Sequence, residues 1–201
     1  TTARYYTPSG RSIQKPYING DGKTYMHDIV DRYNQGEFFH ADSIQVNDSL
    51  KYTTSGGRTV YGGGGIMPDY FVPYDTAMNS SYYSALLTAN AIRSVALDYY
   101  LANSDMFEEM SFDDYQDNYQ LSESIMNEII DRGFEFDVKF NQEEYERSEP
   151  LIKSYFKAEV ARMAYAEEDF YPVINELSNS SLQTALELFP LAQELSEGIV
   201  N

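Results

Sequence analysis

The sequence predicts an α+β protein, in which a short strand-rich first part is followed by a mainly α-helical domain. Residues 1–76 hold ten of the 12 glycines, whereas apolar side chains recur about every 3.6 residues over 77–201, which is the period of an α-helix. The charge changes at the same place: seven basic and eight acidic residues give −1 over 1–76, and seven and 24 give −17 over 77–201. We therefore predict two domains, 1–76 and 77–201.

Several classes of protein are disfavoured by composition. The 201 residues, 42% of them hydrophobic, are enough for one or two compact cores. A formal net charge of −18 argues against a nucleic-acid partner, because such a partner requires a surface that neutralises phosphates. No run of about 18 apolar residues is present, so we expect no transmembrane segment. The absence of cysteine excludes disulfides and thiolate chemistry and agrees with a cell-envelope protein.

Short strands and turns are predicted for the first part. Thr1–Thr7 is rich in Thr and Tyr, which favours a strand, and Pro8–Gly10 then predicts a tight turn. We expect Arg11–Gln14 to return as a second strand. Further short strands are predicted at Ile44–Val46 and Tyr52–Thr54, within a longer excursion of the chain that is rich in Tyr.

Helices are predicted from Ser80 onward. The apolar stripe from Leu86 to Tyr99 favours one helix of about twenty residues. Ser111, with Asp114 three positions later, predicts the N-cap of the next helix.

The remaining helix boundaries are predicted from capping residues. Ser122 is expected to begin a helix that ends at Gly133, and Asn141 is expected to begin another. A separate long amphipathic helix is expected to start near Pro150. The last predicted helix runs from about Ser180 to Leu188.

Two groups of residues have the types, but not the context, of catalytic residues. Ser12 and Lys15 have the spacing of a serine–lysine dyad, but an extended backbone would place them about 10 Å apart. His27 and His40 are the only histidines, and His40 is followed closely by Asp42 and Ser43. Because closeness in sequence is not triad geometry, we expect these histidines to lie on surface loops.

Two loops are weak candidates for binding an ion. The stretch 19–24 looks like half of a calcium loop, but Val30 stands where the bidentate Glu would be, so a tight turn is favoured. Gly62–Gly65 has the free backbone of a phosphate cradle. No helix start and no Lys-Ser/Thr pair follows it, so we expect a bent connection between extended segments.

Two surface features remain open to a binding role. Acidic residues cluster at 143–149, where a solvated helix face is favoured over a surface for a metal ion or a cationic peptide. The 19 tyrosines divide into nine before residue 77 and ten after it, which argues against a single aromatic cleft. Six of the first nine could still line a surface: Tyr5, Tyr6, Tyr17, Tyr25, Tyr52 and Tyr61.

Two segments of the first part carry a family resemblance when taken together. They are TTARYYTPSGRSIQ, Thr1–Gln14, and GGGGIMPDYFVP, Gly62–Pro73. They resemble the carboxyl-terminal processing, or tail-specific, serine proteases, in which a strand L-T-x-A-x-Y-Y-T-P-x-G-R-x-I-Q is followed by G-I-x-P-D. About 26 residues carry this resemblance, and residues 15–61 form an insertion between the two motifs. The helical tail, with Lys157–Arg162, is similar to the extension of larger members from Bacteroides-like bacteria.

The resemblance implies a role within a longer protein. The family cleaves peptide bonds with a serine nucleophile and a lysine general base, and both lie upstream of the first motif. The start of the chain, Thr1-Thr2-Ala3, has no Met or signal peptide and is typical of an internal fragment. Residues 1–76 would then be the last part of the catalytic core.

For this chain we therefore expect no catalytic, cofactor-binding or metal-ligating residue, and no proteolysis by the chain alone. Peptides or proteins would be substrates of the longer protein, and the location would be the cell envelope, either periplasmic or membrane-anchored. The alternative is a non-catalytic envelope module that binds or acts as a scaffold through its Tyr-rich region. An unpaired edge along Thr1–Thr7 would allow self-association through the first part.

Overall fold

The computed structural model describes residues 4–16, 20 and 22–196. It has an α+β fold dominated by helices, with one small antiparallel sheet in the described ranges. The contacts divide the chain into two compact units, the first comprising Thr1–Asp75 and Glu187–Asn201 and the second Thr76–Leu186. Across all described residues, no helix is both long and apolar enough to cross a membrane.

The first unit combines isolated short elements. It contains α1 (Gly22–Asn34), β1 (Lys51–Thr53), β2 (Thr59–Tyr61) and, near the carboxyl end of the chain, α10 (Phe189–Ser196). The two strands pair in the register Lys51↔Tyr61, Tyr52↔Val60 and Thr53↔Thr59. Two short 3-10 turns, Ala41–Ser43 and Asp48–Leu50, lie between α1 and β1.

Aromatic side chains follow the end of α1. The ring of Tyr33 lies 5.2 Å from that of Phe39, which is 6.5 Å from the ring of Tyr74. The backbone N–H of Tyr74 donates to the carbonyl of Phe38 at 2.8 Å. These contacts tie residues that follow the second motif to the end of α1.

The strand predictions for the first part are only partly right. Residues 4–7 of the predicted strand Thr1–Thr7 are not in a strand, and residues 1–3 lie outside the described residues. The predicted strands at Arg11–Gln14 and Ile44–Val46 are also wrong, whereas β1 overlaps the one predicted at Tyr52–Thr54. The turn after Thr7 is confirmed, since the N–H of Gly10 donates to the carbonyl of Thr7 at 2.8 Å.

The hairpin around that turn does not extend into a ladder. The N–H of Thr7 donates to the carbonyl of Arg11 at 2.9 Å, but the following carbonyls, of Ser12 and Ile13, accept from glycines 50 or more residues away. Because each strand of a ladder needs a continuous partner, the two arms separate here.

The second unit is a helical bundle. Its helices are α2 (Ser81–Thr88), α3 (Ala91–Ala102), α4 (Ser104–Glu109), α5 (Phe112–Asn118), α6 (Glu123–Glu135), α7 (Gln142–Ala164), α8 (Phe170–Ser178) and α9 (Ser180–Glu187). α7 lies at its centre and packs against α2, α3 and α8, while α6 packs on α3. The largest apolar side chains that are fully buried in it are Tyr115, Phe156, Leu86, Ile92, Ile129 and Ile152.

The long helix predicted from Ser80 is two helices. Asn90, between α2 and α3, has φ +57° and ψ +24°, which is the left-handed conformation and ends the helix. Asn tolerates this conformation better than most residues. The apolar stripe continues across the break because both helices face the same core, which is why the periodicity did not reveal it.

Gly133 does not end α6. The helix continues to Glu135 and closes with a Schellman motif, in which Val138 N–H donates to the Gly133 carbonyl and Asp137 N–H to that of Phe134. The left-handed position usually filled by glycine is Asp137, with φ +60°. Gly133 instead permits close packing, since a Cβ there would lie 2.9 Å from Leu86 Cδ2.

The two helices predicted around Asn141 and Pro150 are one. α7 runs through Pro150, which has no N–H to donate to the preceding turn. Residues on both sides of the proline are buried, including Ser148, Leu151 and Ile152, so packing holds the helix together across the missing bond. A separate start near Pro150 is therefore wrong.

Two predicted caps are confirmed. Ser111 Oγ accepts from the N–H of Asp114 at 3.2 Å, and Asn141 Oδ1 accepts from that of Glu144 at 3.1 Å. Ser122 stands at the N-cap position of α6, but its side chain bonds to Ser124 rather than to a backbone N–H.

A charged group lies in the core of the second unit. Glu159 on α7 is 1% exposed, and its Oε2 lies 3.7 Å from Arg93 on α3 and 3.6 Å from Arg162. A buried carboxylate is stable only when countercharges offset its desolvation, so this pairing constrains how α3 lies against α7.

Candidate functional site

The two motif segments are hydrogen-bonded to each other. The N–H groups of Gly63 and Gly65 donate to the carbonyls of Ser12 and Ile13, both at 2.9 Å. The N–H of Gly62 donates to the carbonyl of Leu50, just before β1, at 2.9 Å. The four-glycine stretch therefore joins the first motif and the β1–β2 hairpin.

The close approach at this junction requires glycine. A Cβ on Gly62 would lie 3.1 Å from both the Ser12 carbonyl oxygen and the Tyr52 ring. Gly63 has φ +81°, and a Cβ on it would lie 2.9 Å from Leu50 Cδ1. The close approach at Gly62 and the positive φ at Gly63 therefore both favour glycine over larger residues.

Charged side chains of the motifs also contact this junction. Arg11 Nη1 donates to the carbonyl of Tyr61, directly before the glycines, at 3.3 Å. Asp69, of the second motif, forms an ion pair with Arg58. Arg11 Nε and Ser12 Oγ are buried without a hydrogen-bond partner in the described part of the chain.

The structure does not bring Ser12 and Lys15 into a dyad. Lys15 Nζ forms an ion pair with Asp28 on α1. The Ser12 hydroxyl has no hydrogen-bond partner among the described residues. A nucleophile and base that act together require a hydrogen bond between them, and none is present here.

The histidines lie apart from any candidate ligand set. His27 is exposed on α1, and His40 is exposed at the start of the 3-10 turn Ala41–Ser43. Of the residues that the structure describes, no group of three or more His, Asp or Glu could hold a metal ion. The half calcium loop at 19–24 overlaps α1, which begins at Gly22, while residues 19 and 21 lie outside the described ranges.

Gly62–Gly65 is not an anion cradle. Three of its four N–H groups donate to carbonyls of the chain itself, as given above. A phosphate site needs such donors directed at the ligand. The interpretation of this stretch as a bent connection is therefore the one that fits the geometry.

The acidic residues at 143–149 are engaged individually. Glu143 pairs with Arg147 and Glu149 with Lys153, each one turn apart. Glu144 Oε2 accepts from the backbone N–H of Tyr82 at 2.6 Å, so its carboxylate caps α2. This is the solvated helix face that the charge pattern favours. One of its carboxylates, that of Glu144, also links α7 to the start of α2.

The tyrosines divide by environment. Tyr5 and Tyr6 are 82% and 62% exposed, while Tyr17 lies outside the described residues. In the second unit, burial raises the pKa of Tyr82 and Tyr83 to about 12. Burial also raises the pKa of Tyr115, whose hydroxyl donates to the carbonyl of Lys157 at 2.9 Å.

A comparison with known families covers part of the second unit. Residues 82–166 match the model of a family of unknown function, DUF8443. The chain is similar to that family over α2 to α7. The match does not include the two motif segments. No curated protein and no solved structure matches the chain.

Proposed function

We propose that the chain is the carboxyl-terminal portion of a tail-specific serine endopeptidase of the cell envelope, whose serine nucleophile and lysine base lie upstream of Thr1. One observation supports this most. The two motif segments that carry the family resemblance, about 50 residues apart, lie against each other through the Gly63 and Gly65 hydrogen bonds. Segments that form one element of a catalytic core must meet in this way.

The geometry also accounts for the insertion. The insertion, residues 15–61, follows Gln14 and ends before Gly62. The hydrogen bonds of Gly63 and Gly65 to Ser12 and Ile13 bring its two ends together. An insertion whose ends are adjacent can be accommodated without separating the segments that flank it. The helix α1 and the β1–β2 hairpin are then additions to a common core.

The chemistry belongs to the longer protein under this proposal. A lysine base must be desolvated and unpaired to take the serine proton, whereas Lys15 is ion-paired with Asp28. In the described residues, neither histidine has a serine or carboxylate arranged as a triad. We therefore assign this chain a supporting role in a peptidase that acts on peptide or protein substrates.

The test is to express the longer protein encoded by the gene and to assay it on an unstructured peptide. Upstream sequence with a Ser and a Lys about 25 residues apart, and cleavage lost when that Ser is changed to Ala, would support the proposal. The matched control is Ser12→Ala with Lys15→Ala, which should leave cleavage intact. Cleavage that depends on Ser12 or Lys15 would refute it.

The absence of an upstream Ser and Lys would also refute the proposal. It would favour a non-catalytic envelope module that uses the Tyr-rich first part, where Tyr5 and Tyr6 are exposed. Binding of the isolated chain to envelope components would then be the function to measure.

A further inference from the structure

Four aromatic side chains lie where α6 ends and α7 begins on the second unit, and three of them are in ring contact. We call Phe134, Phe136, Phe140 and Tyr145 the aromatic patch. The rings of Phe134 and Phe140 are 6.4 Å apart, and those of Phe140 and Tyr145 are 5.7 Å apart. Phe134 and Phe136 are 57% and 43% exposed. Exposed apolar groups that lie together mark interaction sites more often than scattered ones do.

The patch rests on the buried ring of Tyr82. This ring lies 5.5 Å from Phe140, edge to face, and 6.4 Å from Tyr145. Tyr82 is 3% exposed, and its hydroxyl has no hydrogen-bond partner in the described part of the chain. The patch thus packs on a core ring, Tyr82, whose hydroxyl lacks a partner among the described residues.

The backbone under the patch is fixed. The Schellman motif holds residues 133–138, with Asp137 in the left-handed conformation that costs a non-glycine residue free energy. Phe134 and Phe136 lie within this closed turn. Their side chains are therefore presented by a rigid turn rather than by a flexible loop.

Carboxylates surround the patch. Glu135 and Asp137 are exposed and alternate with the two phenylalanines. Glu149 and Glu123 lie near enough to Tyr145 to add to burial in raising its pKa. Residues 131–149 contain seven acidic and three basic residues.

The three basic residues leave an excess of negative charge. Arg132 pairs with Asp98 and Glu135, and Arg147 pairs with Glu143. Lys139 is exposed. A partner that covers this face therefore meets aromatic rings bordered by carboxylates.

We propose that the aromatic patch is a docking site for a basic polypeptide segment, whose Arg or Lys side chains lie over Phe134 and Phe136 between the surrounding carboxylates. A cation is attracted to the face of an aromatic ring, and nearby carboxylates add to that attraction. The same unit already makes such a contact, because the Arg162 guanidinium lies 4.3 Å from the centre of the Phe170 ring.

Charge complementarity favours a basic segment over a second copy of the chain and over an acidic or neutral peptide. A second copy of the chain would bring another formal charge of −18 to an acidic surface. Glu135 and Glu149 already pair with Arg132 and Lys153. An acidic peptide would still add to the net negative charge of this face, and a neutral peptide would not offset it. The docking site does not depend on the proposed peptidase, because all its residues lie in the second unit.

The test measures binding of the full chain to a labelled peptide of about twelve residues in which Arg alternates with Gly and Ser, with Glu in place of Arg as the control peptide. The double change Phe134→Ala with Phe136→Ala should weaken binding about five- to tenfold. Phe134→Leu with Phe136→Leu should weaken it equally, because Leu keeps the apolar contact but not the ring. Circular dichroism confirms that each variant is folded.

Matched controls separate the patch from general attraction to an acidic protein. Leu97→Ala with Leu101→Ala removes exposed apolar groups from α3 and should change binding less than twofold. Glu135→Gln with Asp137→Asn should weaken binding several-fold at low salt, whereas Glu108→Gln with Glu109→Gln on α4 should not. Equal binding of all variants, full affinity of the Leu variant, or equal binding of the Glu peptide would each overturn the proposal.

Discussion

The two units of the chain are held together by different interactions. In the described residues, every buried hydrophobic side chain lies between Tyr82 and Val173, in the second unit. In the first unit α1 buries none of its residues, and Met26, Ile29, Val30 and Tyr33 form an exposed stripe along it. There, backbone hydrogen bonds from glycines connect the segments.

This difference indicates how much stability each unit gains from its own contacts. A buried core stabilises the second unit from within, since burial of apolar area is the main favourable contribution to folding. The first unit has short strands, exposed apolar side chains and a glycine junction, which together contribute little stability on their own.

The largest effect is expected from removing a core side chain of the second unit. Phe156 is fully buried and its ring lies 5.7 Å from that of Tyr99. Phe156→Ala should lower the free energy of unfolding by about 3–5 kcal/mol through lost burial and a cavity. Urea unfolding followed by circular dichroism measures this, with the exposed Leu101→Ala as the control. Equal effects of the two changes would contradict a core centred on α7.

Alkaline pH should destabilise the second unit next. Burial raises the pKa of Tyr82 and Tyr83 to about 12, whereas an unfolded tyrosine ionises near 10. The stabilisation is fully present below pH 10 and is lost as pH rises toward 12, because the unfolded state releases its protons first. Absorbance of ionised tyrosine, recorded beside helicity, should show late ionisation coupled to loss of helix. Complete ionisation near pH 10 with the helices intact would refute this.

A smaller effect is expected at the glycine junction. Gly63→Ala introduces a Cβ at φ +81° and 2.9 Å from Leu50, so about 1–3 kcal/mol of local destabilisation is expected. Gly64→Ala is the matched control, because a Cβ there meets nothing within 4 Å. Faster exchange of the Gly65 amide in the first variant alone is the expected result. Equal exchange in both variants would show that glycine at position 63 does not stabilise the junction.

The smallest effect is expected at the end of α6, and it is stabilising. Asp137→Gly relieves a left-handed residue in the Schellman motif and should raise the free energy of unfolding by up to about 1 kcal/mol. Asp131→Gly, in the helical part of α6, should lower it by a similar amount. Thermal unfolding of both variants provides the measurement. A destabilised Asp137→Gly would mean that the aspartate side chain itself holds the turn.

Sequence patterns predicted that the second unit is helical, but they predicted less well where its helices begin and end. The caps at Ser111 and Asn141 follow from local hydrogen bonding, which a short motif specifies. The break at Asn90 and the continuity through Pro150 depend on tertiary packing, because the same core lies on both sides of each. The left-handed position that ends α6 is occupied by Asp137 rather than by a glycine. A prediction from residue type therefore placed the end of the helix at Gly133, the nearest glycine.

In the first unit, residues typical of a turn directly precede α1, which was not predicted. Asn19, Gly20 and Asp21 predict a turn, and this signal obscured the helical spacing of Met26, Ile29, Val30 and Tyr33 that immediately follows. The hydrogen-bonded junction of the two motifs was not predicted, because no local pattern pairs Ser12 with Gly63. The aromatic patch does not follow from helical periodicity, because Phe134 and Phe140 meet only through the turn between α6 and α7.

Hydrogen exchange of the full chain tests the central contrast most directly. We predict that amides of α3 and α7 exchange only through global unfolding of the second unit. Amides of α1 should exchange orders of magnitude faster, with Gly62, Gly63 and Gly65 intermediate between the two. A single common protection level for both units would show that they unfold together and would contradict the account.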